Sequence, residues 1–410
     1  MTIDISKSKQ TKTVFRVQSN GNLELRINRT EHSNKKKAVY VETVKPISES
    51  EHSVGNSTAD WTDGKDEERK RYRVLPTGVV MKLMKKSDYK GFERMLTNIS
   101  LIVGNAFLIK NLDIYNNLTN VQAVAAFLPL YMFYGFQLQC MGFAGGHELI
   151  HNNAFKTKAY NYFFAFLVGV CCFEVPRHEK VMHKEHHIHT LNTTKDPELT
   201  SFYSKEELSN PKFKSAPSSR YSYFKSFFVT FGYLKSRMCR LVSCACGELV
   251  DYSGRGWSME TDKNSFGDDI VHDLQINAIL QLSAYAAIFA IFGRDAQGLL
   301  NLAFWWICPN LVGYCFINFY RNAEHAACDI TSNQLLNTRT VESIALFRWL
   351  LWNTNYHCEH HCYPMVPFFN LPKLHELMDD HIKHNDCKTF ASQNWNMIKK
   401  GGWIDTQKEE

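Results

Sequence analysis

The chain has 410 residues, enough for one large domain or two ordinary ones. Its 47 Lys and Arg against 41 Asp and Glu leave a net charge of only +6, with no interleaved basic and aromatic pattern, so nothing points to a nucleic-acid partner. The twelve cysteines are scattered, mostly in or beside apolar segments, which argues against a disulfide-stapled secreted fold and for reduced thiols facing the cytosol or the membrane. Cys244-x-Cys246 stands alone and reads as small buried residues, and the polar N-terminus lacks the apolar run of a secretory signal.

Three regions follow from composition. Residues 1–75 form a polar extension expected to be largely disordered, although weak alternation from Val14 to Val44 allows a few strands. Residues 76–385 carry nearly all the long apolar runs and form the membrane domain, and 386–410 are a C-terminal tail.

A hydrocarbon core of ~30 Å takes roughly 20 apolar residues per helix. Four segments approach this: Ser100 to Leu112, beginning near Leu96; Val121 to Phe143; Ile276 to Phe292; and Leu299 to Phe319. The pairs are joined by Asn111 to Asn120 and by Gly293 to Gly298, which are short enough only for tight turns. Tyr160 to Val175 is too short to span. Tyr221 to Leu249 is interrupted by Lys225, Lys235, Arg237 and Arg240, so both read as interfacial helices whose cations reach water. Residues Glu67 to Arg94 hold nine Lys and Arg, against Lys110 and Arg294 in the turns. The excess positive charge places both termini and the region 144–275 in the cytoplasm. The expected architecture is an all-α membrane protein, four transmembrane helices with a cytosolic helical cap.

Eight of the 17 histidines fall in three motifs on that one side. His147-Glu-Leu-Ile-His151 has i, i+4 spacing; His183-Lys-Glu-His186-His187 and His357-Cys-Glu-His360-His361 have i, i+3, i+4 spacing. On a helix these spacings place the rings on one face, within reach of a common ion. A lone pair is more often a surface feature, but three clusters in one membrane chain are not. Structural zinc takes four ligands and catalytic zinc three plus water, so eight imidazoles exceed one such ion and suit two ions of higher coordination. Imidazole serves iron, copper, nickel and zinc alike, and ligand type alone leaves the metal open. Glu148, Glu185 and Glu359, inside the motifs, are placed either to orient imidazoles or to face solvent.

These three boxes, in this order between apolar segments, resemble the membrane-bound fatty acid desaturase superfamily, which includes related hydroxylases and ketolases. The tail His360-His361-Cys-Tyr363-Pro364 through Leu371-Pro372-Lys-Leu374-His375 is similar to acyl-lipid and bacterial-type members, and so is Asp196-Pro197 after the second box. The resemblance covers roughly residues 85 to 385. It implies a non-haem di-iron site, O₂ as co-substrate and a ninth ligand after the last span, assigned to His325 of Asn322-Ala-Glu-His325, with Asn322 or Asn318 as a supporting residue. The metal set is then His147, His151, His183, His186, His187, His325, His357, His360 and His361. The implied activity is insertion of a double bond into a lipid-linked fatty-acyl chain, with hydroxylation or ketone formation as the alternative. The location would be the endoplasmic reticulum membrane in a eukaryote or the inner membrane in a bacterium.

No Cys₄ iron–sulfur spacing and no His-Pro-Gly-Gly haem signature occurs, so the resemblance implies a separate cytochrome b5 or ferredoxin as electron donor. The basic stretch Arg69 to Arg94 is a surface for that donor or for anionic lipid. Phe143, Trp305, Trp306 and Phe319 are candidates to line an acyl tunnel, or simply pack against lipid and helices. His189 reads as supporting or solvated; His178, His272, His375, His381 and His384 lack cluster spacing and read as structural.

Two rivals remain. His147-Glu148-x-x-His151 matches the HExxH zinc-protease motif, which leaves both other boxes unexplained. A metal transporter would place its ligands at mid-membrane, whereas these lie outside the spans.

Overall fold

The computed structural model describes strands within residues 2–44 and then residues 74–116, 119–211, 213, 215–216, 220–228, 230–253 and 268–400. Strands β1 (Thr2–Asp4), β2 (Thr11–Val17), β3 (Leu23–Arg29) and β4 (Val41–Val44) form an antiparallel meander, with Thr11 opposite Arg29 and Val17 opposite Leu23. They lie in a separate unit, Met1–Ser57. The strands fall partly where weak alternation allows them, inside the stretch expected to be largely disordered. The Ser/Glu-rich run at 47–66 and the arginines up to Arg73 lie outside the described residues.

The second unit is helical. After α1 (Thr77–Leu83), α2 (Asp88–Asn111) starts at Ser87, whose hydroxyl accepts from Lys90 N. Helix α3 (Val121–Cys140) starts at Asn120, which accepts from Gln122 N and Ala123 N. It runs through a π-helical turn, Met141–Gly145, into α4 (Gly146–Ile150). Next come α5 (Lys158–Cys172), α6 (Pro176–His189), α7 (Pro197–Phe202), α8 (Lys205–Leu208), α9 (Arg220–Phe228) and α10 (Thr230–Ala245). Helix α11 (Asp268–Phe292) precedes α12 (Ala296–Leu302), which continues through a second π turn, Ala303–Ile307, into α13 (Cys308–Arg321). The C-terminal part holds α14 (Gln334–Asn337), β5 (Arg339–Val341), α15 (Ala345–Leu350), α16 (His357–Cys362), α17 (Leu371–Met378), β6 (His384–Cys387) and α18 (Phe390–Lys400). β6 pairs parallel with β5.

Among the described residues three helices, not four, are long and apolar enough to cross a membrane: Val121–Ile150, Asp268–Phe292 and Ala296–Arg321. The first expected span falls in α2, whose opening turns carry Asp88, Lys90, Glu93 and Arg94. A fourth candidate is the bent pair α5 and α6, which turn through 101° at Phe173, a left-handed residue (φ 59°). The chain is also mostly, not wholly, helical.

Length then positions the site. At 1.5 Å per residue, the 20 residues of α3 alone cover a core of about 30 Å. His147 lies seven residues further on, about 10 Å beyond. Helices α3 and α13 touch backbone to backbone at Gly135 and Gly313, where a Cβ on either residue would collide with the other helix. At Gly142 a Cβ would stand 2.7 Å from that of Cys172, so α5 closes on the π turn only because no side chain intervenes.

The expectation that the cations of α9 and α10 reach water fails for two of the four. Lys225 and Lys235 are exposed, but Arg237 and Arg240 turn inward to Glu174 and Glu179, and Arg240 is only 1% exposed. The acidic partners come from the α5–α6 elbow, which the spacing within α10 does not reveal.

Candidate metal centre

Four segments converge above the helix ends. Helix α4 brings His147, and His151 follows at its C-terminus; α6 brings His183, His186 and His187; α16 brings His357, His360 and His361. His325 follows α13 in the turn after Arg321. The nine rings sort into two groups: His147, His151, His183, His187 and His360, and His186, His325, His357 and His361. Within each, one ligand atom per residue lies within 4.8 Å of all the others. The second and third boxes thus divide between groups, because i, i+3 and i, i+4 neighbours diverge slightly around a helix. The groups adjoin, with the His187 and His361 rings stacked at 4.2 Å.

The donors fit metal ions. Ring-nitrogen contacts of 2.9 Å (His183–His187) and 3.1 Å (His187–His360, His325–His357, His357–His361) converge on each group. Nitrogens about 2.1 Å from one ion, at right angles, lie about 3 Å apart. His147 Nε2 is buried without a hydrogen-bond partner, as a ligand nitrogen aimed at an ion would be. Burial first, then the neighbouring imidazoles, hold His183, His187, His357, His360 and His361 well below the ordinary histidine range. Burial and His186 bring His325 down to about 3. Neutral imidazole is the ligating form. His186 differs: burial opposes its protonation, but the Glu198 and Asp196 carboxylates outweigh it and raise it to about 9.

Further contacts hold the rings. Asp196 Oδ1 meets His186 Nδ1 at 3.0 Å, and Asp196 also accepts from Leu191 N and Glu198 N. His325 Nδ1 meets the Asn337 carbonyl at 3.1 Å, and Thr190 Oγ1 meets His361 Nδ1 at 3.2 Å. Glu324 lies 3.5 Å from His357 Nδ1, its carboxyl raised to about 8 by burial and then by Glu198. The glutamates inside the boxes act differently from one another. Glu148 lies 3.5 Å from His147 Nδ1 while accepting from Phe368 N at 3.0 Å, and Glu185 lies 3.8 Å from His189. Glu359 holds Thr340 and His375, so His375 reaches the centre indirectly, a connection its isolated position in the sequence does not disclose.

Asn322 Nδ2 is buried without a hydrogen-bond partner, in the wall of a cavity it shares with Asn318, His186 and His325. Glu198, Glu324 and Arg321 escaped the sequence reading; Glu324 abuts His325, and Glu198 follows the Asp196-Pro197 helix start, which were the available signals. Cys244 is buried and Cys246 exposed, and neither joins a metal-competent group among the described residues.

A second cavity of about 100 Å³ borders His147, His183 and His357, members of both groups. Phe143 lines it, as do Gly142, Gly146, Ala165 and Val168. The other tunnel candidates pack elsewhere: Trp306 stacks on Phe173 and donates to the Cys171 carbonyl, Trp305 meets Tyr134 edge-on, and Phe319 packs against the main core.

Similarity to known proteins agrees with this geometry. Over 110 residues, 27% of this chain and 31% of the relative, it is 28% identical to the Homo sapiens sphingolipid delta(4)-desaturase/C4-monooxygenase DES2. Over 114 residues, 26% of this chain and 30% of the relative, it is 28% identical to the Bos taurus protein of the same name. The matched segment therefore spans under a third of those relatives' own length. The profile of the fatty acid desaturase family matches residues 122–391, more than half of the chain and all three histidine boxes, and the chain belongs to that family.

Proposed function

We propose that this chain is an O₂-dependent di-iron oxidoreductase that introduces a double bond into the acyl chain of a membrane lipid. The observation that carries the reading is the sorting of nine imidazoles into a group of five and a group of four beside one partly apolar cavity. His147, His151, His183, His187 and His360 would hold one ion, and His186, His325, His357 and His361 the other. Iron bound there supplies the activation of O₂ and the removal of hydrogen from an unactivated methylene. The protein's own part is to keep the imidazoles neutral, fix their planes through Asp196, Thr190 and the Asn337 carbonyl, and bring a chain past Gly142 and Gly146. Phe143, Ala165 and Val168 exclude water from that passage.

The membrane frame in this reading has four spans, with α2 as the first. Leu101, Val103, Phe107 and Leu108 are exposed on α2, while Asn105 bonds Gln137 of α3, leaving an apolar face for lipid. The histidine-bearing side faces the cytoplasm, where a separate cytochrome b5 or ferredoxin supplies electrons. A second reading, hydroxylation, draws on the relatives' printed names, which join a desaturase to a C4-monooxygenase. The two outcomes differ in whether a second hydrogen leaves or oxygen is retained, a matter of substrate positioning.

The test is lipid analysis of a heterologous host expressing wild type or His360→Ala, with metal analysis of the purified protein. A new unsaturated lipid with wild type only, and about two irons per chain, is the expected result; a hydroxylated product alone selects the second reading. A single zinc with peptide cleavage would overturn both.

A further inference from the structure

Helix α16 carries three of the nine imidazoles on only 6 residues, and no side chain caps its start. An isolated helix shorter than about 12–15 residues is marginal in water, so α16 takes its geometry from what it packs against. Its rings are not all held from their far sides either. Thr190 meets His361 Nδ1 at 3.2 Å, but His360 Nδ1 is buried without a hydrogen-bond partner. His357 Nδ1 makes no hydrogen bond, with the Glu324 carboxyl at 3.5 Å. The aim of these rings therefore depends on how the helix itself is anchored.

The anchor lies on the opposite face. At about 100° per residue, Glu359 stands roughly 150° around α16 from the middle of the face bearing His357, His360 and His361. Glu359 is fully buried, and its carboxylate accepts from Thr340 Oγ1 of β5 and from His375 Nδ1 of α17. His375 Nε2 lies 3.7 Å from Asp379, whose side chain is half exposed, and the imidazole packs against the Tyr356 ring at 4.8 Å. Burial opposes protonation of His375, but Glu359 and then Asp379 outweigh it and raise it above the ordinary histidine range. A buried pair of this kind is a weak source of stability, because apolar side chains of similar volume often serve as well. What it does fix is direction: hydrogen bonds to two different elements set the rotation of α16 about its own axis.

We propose that His375 is a positioning residue for both metal ions at once, acting through Glu359 on the third histidine box. Its reach to both ions follows from the way that box divides. His360 belongs to the five-membered group, and His357 and His361 belong to the four-membered one. A rotation of α16 displaces a ligand of each. The proposal rests on the two-ion reading of the nine imidazoles, and it is measurable without turnover.

Full-length wild type, His375→Ala, His375→Asn and Glu359→Gln are purified in detergent, loaded with ferrous iron and dialysed against a chelator series. Metal per chain is measured beside the helical circular dichroism signal. Asn keeps an N–H donor near the place of Nδ1, whereas Ala has none. His375→Ala is expected to keep its helical signal and to lose both irons together, at chelator concentrations about tenfold below those that strip wild type. His375→Asn should recover most of that loss. Glu359→Gln, which keeps the volume but turns one acceptor into a donor, should show the same joint loss, and it decides the matter if His375→Ala loses its helical signal. Loss of one iron alone, retention equal to wild type in either of these variants, or an Asn variant no better than Ala would overturn the proposal. Wild type that holds fewer than two irons would instead overturn the two-ion reading, and with it the joint reach of His375.

Discussion

Asp196 ties one histidine of the four-membered group to the loop that follows α6. Its carboxylate is fully buried and meets His186 Nδ1 at 3.0 Å, Glu198 N at 2.9 Å and Leu191 N at 2.8 Å. Asp196→Asn keeps the volume but exchanges one acceptor oxygen for an amide that donates. In one orientation the Leu191 contact fails; in the other, those to His186 and Glu198 fail. The supporting partner of a metal-bearing histidine is worth 10–100-fold in metal affinity, about 1.4–2.8 kcal/mol. Only the group containing His186 should feel it, because Asp196 makes no contact with the five-membered group. Purified wild type and variant are dialysed against a chelator series, and metal per chain is measured beside the helical circular dichroism signal. The variant is expected to fall from two metals to one at chelator concentrations 10–100-fold below those that strip wild type. Loss of both metals together, or a curve matching wild type, would refute the division into two groups supported independently.

His325→Ala should leave about one metal per chain in a folded protein; two retained metals would remove His325 from the ligand set. Gly313→Ala drives a methyl into the Gly135 backbone, and a melting experiment in detergent should show a loss of about 1–3 kcal/mol, against no change if the helices can part. His178 is buried, with Nε2 against the Val250 carbonyl at 2.7 Å, and burial followed by Arg240 brings it down to about 4. The unfolded chain then binds this proton near pH 6.5 and the folded chain only near pH 4. His178 costs the fold nothing above that window and about 3 kcal/mol below it, so stability falls as pH drops through it. His178→Gln should flatten that part of the stability curve; an unchanged slope would assign the acid sensitivity elsewhere.

The three histidine boxes could be read from sequence because a metal ligand must be a particular side chain, and helical spacing places i, i+3 and i+4 together whatever surrounds them. The long apolar runs were legible for a similar reason, since their length must match a bilayer. Span number was less so: the charges that open α2 weaken its apolar run, and the 101° elbow after α5 depends on neighbours that local hydropathy does not contain. How the nine imidazoles divide was beyond one-dimensional reading. His183 and His186 sit on one helix yet belong to different groups, and His325 joins the second group only because α13 ends beside α16. Arg237 and Arg240 looked like water-facing cations until folding brought Glu174 and Glu179 opposite them. Local spacing determined which residues can bind a metal. Tertiary packing decided which of them lie close enough to hold one together, and which charges lie in the wall beside them, because both depend on segments that meet only when the chain folds.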